Sequence, residues 1–324
     1  MRERVLGLVW GLAALLTMGA GFAPVPLAAG EAVGTLQVAD IRENIFCSTI
    51  ISDSVYLLAG DRGKIFRSED AGKTWKQVAS GVRLPLFSVR FVDSEHGWIC
   101  GKAGLILATS DGGQTWVKQS SGTERHLLGL DFANRQQGCA VGDWGAVVVT
   151  VDGGASWQEV SLPEDVILYA VSLGEGGKGV AVGEFGRIFR TADGGKTWES
   201  AQSPIESSLF ALCQDGDSFY AAGLDGILVY SRDGGQTWQK VDTGITEPIY
   251  AIAVRGSEGW AAGDVGTVLH SSDGGLTWQP SDVPTKKRLY WIGTLSLGNA
   301  SQRVGFGAGA NGLFVGIQEG QLIW

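Results

Sequence analysis

The stretch Ser110-Asp111-Gly112-Gly113-Gln114-Thr115-Trp116, SDGGQTW, decides the fold, because the chain writes it six times. The copies are SEDAGKTW (68–75), TSDGGQTW (109–116), TVDGGASW (150–157), TADGGKTW (191–198), SRDGGQTW (231–238) and SSDGGLTW (271–278). Their aspartates, Asp70, Asp111, Asp152, Asp193, Asp233 and Asp273, follow one another at intervals of 40 or 41 residues. A period of about 40 with tight turns and no helix-length pattern points to a β-propeller or another stacked array. In each copy the aspartate is suited to accept backbone N–H groups of its own turn, and the glycines supply positive φ. The tryptophans, Trp75, Trp116, Trp157, Trp198, Trp238 and Trp278, are expected to start an outer strand and anchor it by burial. Six near-identical corners are structural, and no catalytic role is expected of them.

Two further signals share the period. A Gly-x-x-Gly turn precedes each box: AGDRGKIF, CGKAGLIL, VGDWGAVV, VGEFGRIF, AGLDGILV, AGDVGTVL and, with no box after it, AGANGLFV. An aliphatic–aromatic pair opens each unit: Ile45-Phe46, Leu86-Phe87, Leu168-Tyr169, Leu209-Phe210, Ile249-Tyr250 and Leu289-Tyr290, with Leu127-Leu128 in the third place. Both signals count seven. Each unit reads as four short strands, in the second unit 86–92, 97–100, 105–109 and 115–119. The expected fold is all-β, a seven-bladed propeller of four-stranded blades. The segment GTLQVADIRENIFCSTI resembles QTWQKVDTGITEPIYAI at 236–252, so 35–40 reads as an orphaned outer strand. It is expected beside 313–317, closing the ring and covering strand edges that would otherwise template aggregation.

Composition bounds the function. Fifty glycines and 18% charged residues suit turn-rich β structure, and the net charge of −9 argues against nucleic acid as a partner. Arg2 and Arg4 precede the uncharged run Val5–Gly30, which ends in small residues. That layout is a secretory signal over 1–30, with a retained N-terminal anchor as the alternative. Residues 31–324 then form one exported propeller domain, periplasmic or otherwise extracytoplasmic. The four cysteines, Cys47, Cys100, Cys139 and Cys213, and the three histidines, His96, His126 and His270, lack metal-ligand spacing. No metal or cofactor is expected, and buried thiols acting as small hydrophobes are favoured over a disulfide.

In a four-stranded blade the turn joining strands two and three shares a face with the connections between blades, and the boxes lie on the opposite face. Binding sites are usually built from such loops on a rigid scaffold. Around that face cations gather on one arc: Arg42, Arg83, Arg125-His126 and Lys286-Lys287-Arg288 in the lead-in segments, and Arg62 and Lys102 in the turns. Carboxylates gather on the other: Glu164-Asp165, Glu184, Glu206, Glu247 and Asp264, although Asp61, Glu43 and Glu124 interrupt the basic arc. Trp144 and Phe185 occupy equivalent turns and would serve as apolar anchors. Near the ring axis Arg90 and Asp131 hold the fifth place of adjacent first strands, where the other units have Thr49, Ser172, Cys213, Ala253 and Gly293. Two lone charges there are expected to pair, because an unpaired buried charge is far more costly.

The repeated S/T-x-D-G-G-x-T-W is the Asp-box, shared by sialidases, some glucan hydrolases, sorting receptors and one group of assembly factors. From about Leu36 to Trp324 the chain resembles the photosystem II assembly and stability factor family of seven-bladed propellers, which has relatives in non-photosynthetic bacteria. The resemblance implies a non-catalytic, monomeric scaffold that binds a membrane protein or its assembly intermediate. A carbohydrate-active propeller, hydrolase or lectin-like, is the alternative. A sialidase would need a three-arginine clamp, a tyrosine–glutamate pair and six blades; a glucan hydrolase would need two facing carboxylates.

Overall fold

The computed structural model describes residues 36–37, 40–282, 292–297, 305–310, 313–318 and 321–323. It shows seven antiparallel sheets, each a run of four consecutive strands, so the chain is an all-β seven-bladed propeller. Blade two is typical, with strands Leu86–Phe91, Gly97–Gly101, Leu105–Thr109 and Val117–Ser120. In blades two to six the box tryptophan immediately precedes the outer strand, which begins at Val117, Gln158, Glu199, Gln239 and Gln279. Only in blade one does the strand, Thr74–Val78, include it. The second strands are rich in Gly, Ala and Val, and those of blades one to six are sandwiched between neighbouring sheets and buried throughout, the edge residues Ser218 and Glu258 excepted.

Closure differs from the sequence expectation. Leu36–Gln37 pairs with Thr74–Val78, as a fifth strand on the outer edge of blade one. The fourth strand of blade seven is Gln321–Ile323, antiparallel to Phe314–Gln318. The chain therefore builds every sheet from its own consecutive residues, and blades seven and one meet through side chains. Tyr56 stacks on Phe306 with centroids 5.1 Å apart, and Trp75 meets Phe306 and Phe314 edge-on at 6.5 and 6.0 Å. Ser296 Oγ donates to Ser48 O at 3.1 Å across the same seam. An aromatic cluster, buried except for the half-buried Phe314, supplies the adhesion that an exchanged strand would otherwise supply.

The seventh blade also begins later than the aliphatic–aromatic pattern suggests. Ile292 pairs with Gly309 as Ile45 pairs with Gly60 and Leu86 with Gly101. Leu289-Tyr290 lies outside the described residues, and Ser296 rather than Gly293 takes the fifth place. At that level Arg90 Nε lies 2.9 Å from Asp131 Oδ1, the ion pair expected. Asp131 Oδ2 also accepts Leu173 N at 2.8 Å, so one carboxylate ties blades two, three and four together. The four cysteines are free; Cys47, Cys100 and Cys139 are buried, and burial pushes their thiols up.

Candidate docking face

The two ends of the ring are chemically unlike. At one end the boxes meet the loops that join first to second strands. Gly112 N donates to Glu95 O, Gly153 N to Gln136 O, Gly194 N to Gly177 O and Gly274 N to Ser257 O, all at 2.8–2.9 Å. The box aspartates of this end spend their oxygens internally. Asp111 Oδ1 accepts Thr109 Oγ1 at 2.7 Å and Gln114 N and Thr115 N at 2.9 Å, while Oδ2 accepts Thr115 Oγ1 at 2.6 Å. Burial opposes ionisation of Asp111, but the bonds from Thr115, Thr109 and Gln114 outweigh it and draw the carboxyl down to about 2. Asp152, Asp233 and Asp273 are held at about 2 chiefly by Ser156, Thr237 and Thr277. The indoles of Trp75, Trp198, Trp238 and Trp278 donate to Gly72, Gly195, Gly235 and Gly275 carbonyls at 2.8–3.1 Å. Trp157 instead reaches Gln119 of the neighbouring blade, and the buried Trp116 Nε1 has no partner.

The same end carries the acidic group that most resembles a metal site, Asp93, Glu95 and His96. Asp93 Oδ1 already accepts the backbone N–H groups of Glu95 and His96 at 2.8 Å, and Arg135 Nε lies 2.6 Å from Asp93 Oδ2. A guanidinium thus occupies the place a cation would take. His270 is likewise structural: it pairs with Glu258 at 2.9 Å and stacks on Trp260.

At the other end, the Gly-x-x-Gly turns pack on the lead-in segments. Asp61 N donates to Asn44 O, Lys102 N to Pro85 O, Asp143 N to His126 O and Asp264 N to Pro248 O, at 2.9–3.2 Å. The first glycine is dictated by this approach: a Cβ on Gly142 would sit 1.7 Å from His126 O. The residue before the second glycine is left-handed in six turns. Arg62, Ala103, Trp144, Phe185, Asp225 and Val265 all have φ between 51° and 58°. For residues with a Cβ that conformation costs roughly 1–2 kcal/mol. Ala103 and Asp225 hold the same backbone, so the turn does not require an aromatic. Yet Trp144 is 62% exposed, Phe185 55% and Val265 57%. Sequence reasoning picked Trp144 and Phe185 as anchors but missed Val265; the signal was its equivalence to them inside the repeated turn.

Ion pairing divides this face into three sectors. In blades three and four both arginines of this face are paired locally. Arg125 Nη1 lies 3.3 Å from Glu159 and donates to Trp144 O at 3.2 Å, Arg187 pairs with Glu164, and His126 Nδ1 lies 3.8 Å from Asp143 Oδ2. Burial lowers the His126 pKa and raises that of Asp143, against their mutual attraction. Glu184 accepts Ile167 N at 3.1 Å. What remains outward there is Trp144 and Phe185, with the carboxylates of Glu124 and Asp165. In blades one and two Arg42, Arg62 and Arg83 are exposed and pair with no described carboxylate, while Lys102 is half-buried between the sectors. In blades five and six Glu206 and Asp225 are exposed, Glu247 and Asp264 half-exposed, and none pairs with a described cation. The acidic arc is thus narrower than the sequence suggested, because Arg187 claims Glu164. Lys286, Lys287 and Arg288 lie outside the described residues.

Between the sectors opens the mouth of the central channel. Phe46, Phe87, Leu128, Tyr169, Phe210 and Tyr250 sit at the bulge of each first strand, one residue in from its start. Phe46 and Phe87 are 5.9 Å apart, Tyr169 and Phe210 5.0 Å, and Phe210 and Tyr250 5.6 Å, forming an aromatic collar. A cavity of about 1050 Å³ runs from this collar past Arg90 and Asp131 to Glu175 and Asp217.

Comparison with known proteins agrees with this architecture. A structure described as YCF48 bound to D1 peptide superposes with a TM-score of 0.71 at 22% identity, over 91% of this chain and 99% of that one. YCF48 from Cyanidioschyzon merolae gives 0.69 at 19% identity, over 88% and 99%. A GH74 xyloglucanase from Xanthomonas campestris gives 0.71 at 13% identity, over 89% of this chain but 54% of that one. These likenesses establish the fold. No curated protein sequence matches the chain. The sequence profile of the photosynthesis system II assembly factor YCF48 matches residues 69–125, 117–202 and 155–248, more than half of the chain, and the protein belongs to that family.

Proposed function

We propose that the protein is an exported, non-catalytic scaffold that binds a polypeptide segment of a membrane protein on the turn face, opposite the boxes. The observation that carries this reading is the contrast between equivalent positions. The box corners repeat one sequence and satisfy their own polar groups, whereas the six left-handed apices vary from arginine to tryptophan and hold their side chains in water. Local folding has no use for an exposed Trp144 or Phe185, and paired aromatic anchors beside a charged rim are the usual composition of a protein-binding centre. Family membership supports the assignment, and one relative is described as bound to a D1 peptide. The apolar run at 5–30 supports export, with the propeller acting outside the cytoplasm.

A carbohydrate-cleaving role finds less support in the channel. Asp131, a buried carboxylate there, already pairs with Arg90 and accepts Phe132 N and Leu173 N, so its oxygens are engaged inside the protein. The test uses immobilised protein and detergent-solubilised membranes of the source cell. Trp144→Ser with Phe185→Ser should abolish recovery of the bound membrane protein, and Asp111→Asn should preserve it. Recovery insensitive to the turn-face pair, or lost in a folded Asp111→Asn protein, would refute the assignment. Binding of xyloglucan in place of protein would favour the carbohydrate reading.

A further inference from the structure

We infer that the turn face reads the order of charge along its ligand: it takes an extended polypeptide segment acidic at one end, apolar in the middle and basic at the other. This rests on the turn face being the docking surface. The inference comes from the placement of the charges that internal pairing leaves over. Arg42, Arg62 and Arg83 stand on blades one and two, and Glu206, Asp225 and Asp264 on blades five and six. In a ring of seven these pairs of blades lie on opposite sides of the channel mouth. In the sector that links them on one side, blades three and four, the arginines are taken up by Arg125–Glu159 and Arg187–Glu164, and His126 lies beside Asp143, while Glu124 and Asp165 stay exposed. Its large outward apolar groups are Trp144 and Phe185, 62% and 55% exposed.

A segment crossing the mouth therefore meets cations first, aromatic surface next and carboxylates last. Strand-like backbone suits the crossing, because its side chains alternate and one row can face the collar and the two aromatic apices. A wholly acidic segment would gain at blades one and two and be repelled at blades five and six; a wholly basic one would meet the reverse. Like-charge contact at an interface is strongly penalising, so the two arcs together reject segments that either arc alone would accept. The local pairs in blades three and four have a purpose in this scheme. They hold Arg125 and Arg187 in local pairs, so that no unpaired arginine stands between the basic arc and the acidic one.

The experiment uses the whole propeller and four synthetic peptides of about twelve residues, roughly 40 Å when extended. One carries an aspartate block, a leucine–phenylalanine centre and a lysine block. The second has the same composition with the charges alternating, and the third and fourth carry only aspartate or only lysine. The block peptide should bind at least about tenfold tighter than the others at low salt, and the advantage should vanish at about 1 M salt, where the Debye length is about 3 Å. Arg62→Glu with Arg83→Glu should remove the advantage, and so should Glu206→Lys with Asp225→Lys. Combining all four changes should restore it, because the face is then reversed and the peptide binds in the opposite direction. Circular dichroism melts confirm that each variant is folded. Equal binding of block and alternating peptides, dependence on one arc alone, absence of peptide binding, or failure of the fourfold variant to recover would each overturn the inference. Recovery of the membrane protein through Trp144 and Phe185 would still stand if charge order proved irrelevant, so the two readings fail separately.

Discussion

The box face and the turn face are built from the same seven blades, yet they differ in what their polar groups do. On the box face Asp111, Asp193 and their counterparts accept several hydrogen bonds from their own corner, and Tyr220, Trp98 and Arg67 donate to box glycine carbonyls of the next blade. On the turn face the backbone is equally regular, but the apex side chains share no chemistry and make no common contact. Regular backbone with irregular side chains separates support from recognition. One face is specified for stability, and the other is left free to vary within a conformation that glycine fixes on its own.

The comparison predicts that equal substitutions will have unequal effects. Trp75 is fully buried at the seam of blades one and seven, so Trp75→Ala should cost about 3–5 kcal/mol, whereas Trp144→Ala should stay within about 0.5 kcal/mol. Urea melts of the two variants measure this, and similar losses would mean that the turn face is also structural. Asp111→Ala should cost about 0.5–1.5 kcal/mol by removing the corner bonds from Thr115 N and Gln114 N, with the affinity for the block peptide unchanged.

Acid should act through the boxes. Folding depresses the carboxyls of Asp111, Asp152, Asp233 and Asp273 to about 2, below their unfolded values near 4. Their contribution is therefore complete above about pH 4 and is lost as the pH falls through about 2. Acid unfolding followed by tryptophan fluorescence should fall in that window, and Asp233→Asn with Asp273→Asn should flatten it. The smallest expected effect is a gain. Val265 is β-branched at φ 51°, so Val265→Gly should raise stability by up to about 1 kcal/mol while weakening docking slightly.

The same division explains what the sequence made legible. Seven units, six corners and the Arg90–Asp131 pair were readable because each is a deviation from, or a repetition of, a fixed register. The closing strand was not, because 35–40 resembles an outer strand of the repeat while the last unit has no box of its own. A stronger local signal was present: only two residues separate Phe314–Gln318 from Gln321–Ile323, the spacing of antiparallel neighbours. The sectors were half legible. Charges could be assigned to loops from the repeat, but Arg187 reaching Glu164 and Arg125 reaching Glu159 depend on side-chain direction across blades, which spacing does not encode.

Both faces carry exposed apolar reporters, which allows the central claim to be tested in one measurement. Trp144 and Phe185 mark the turn face, and Val151 and Leu276, 56% and 45% exposed, mark the box face. Hydroxyl-radical footprinting of the propeller with and without the membrane protein it recovers should show protection of Trp144 and Phe185 and unchanged oxidation of Val151 and Leu276. Protection of Val151 and Leu276 with Trp144 still fully reactive would place docking on the box face and contradict the account.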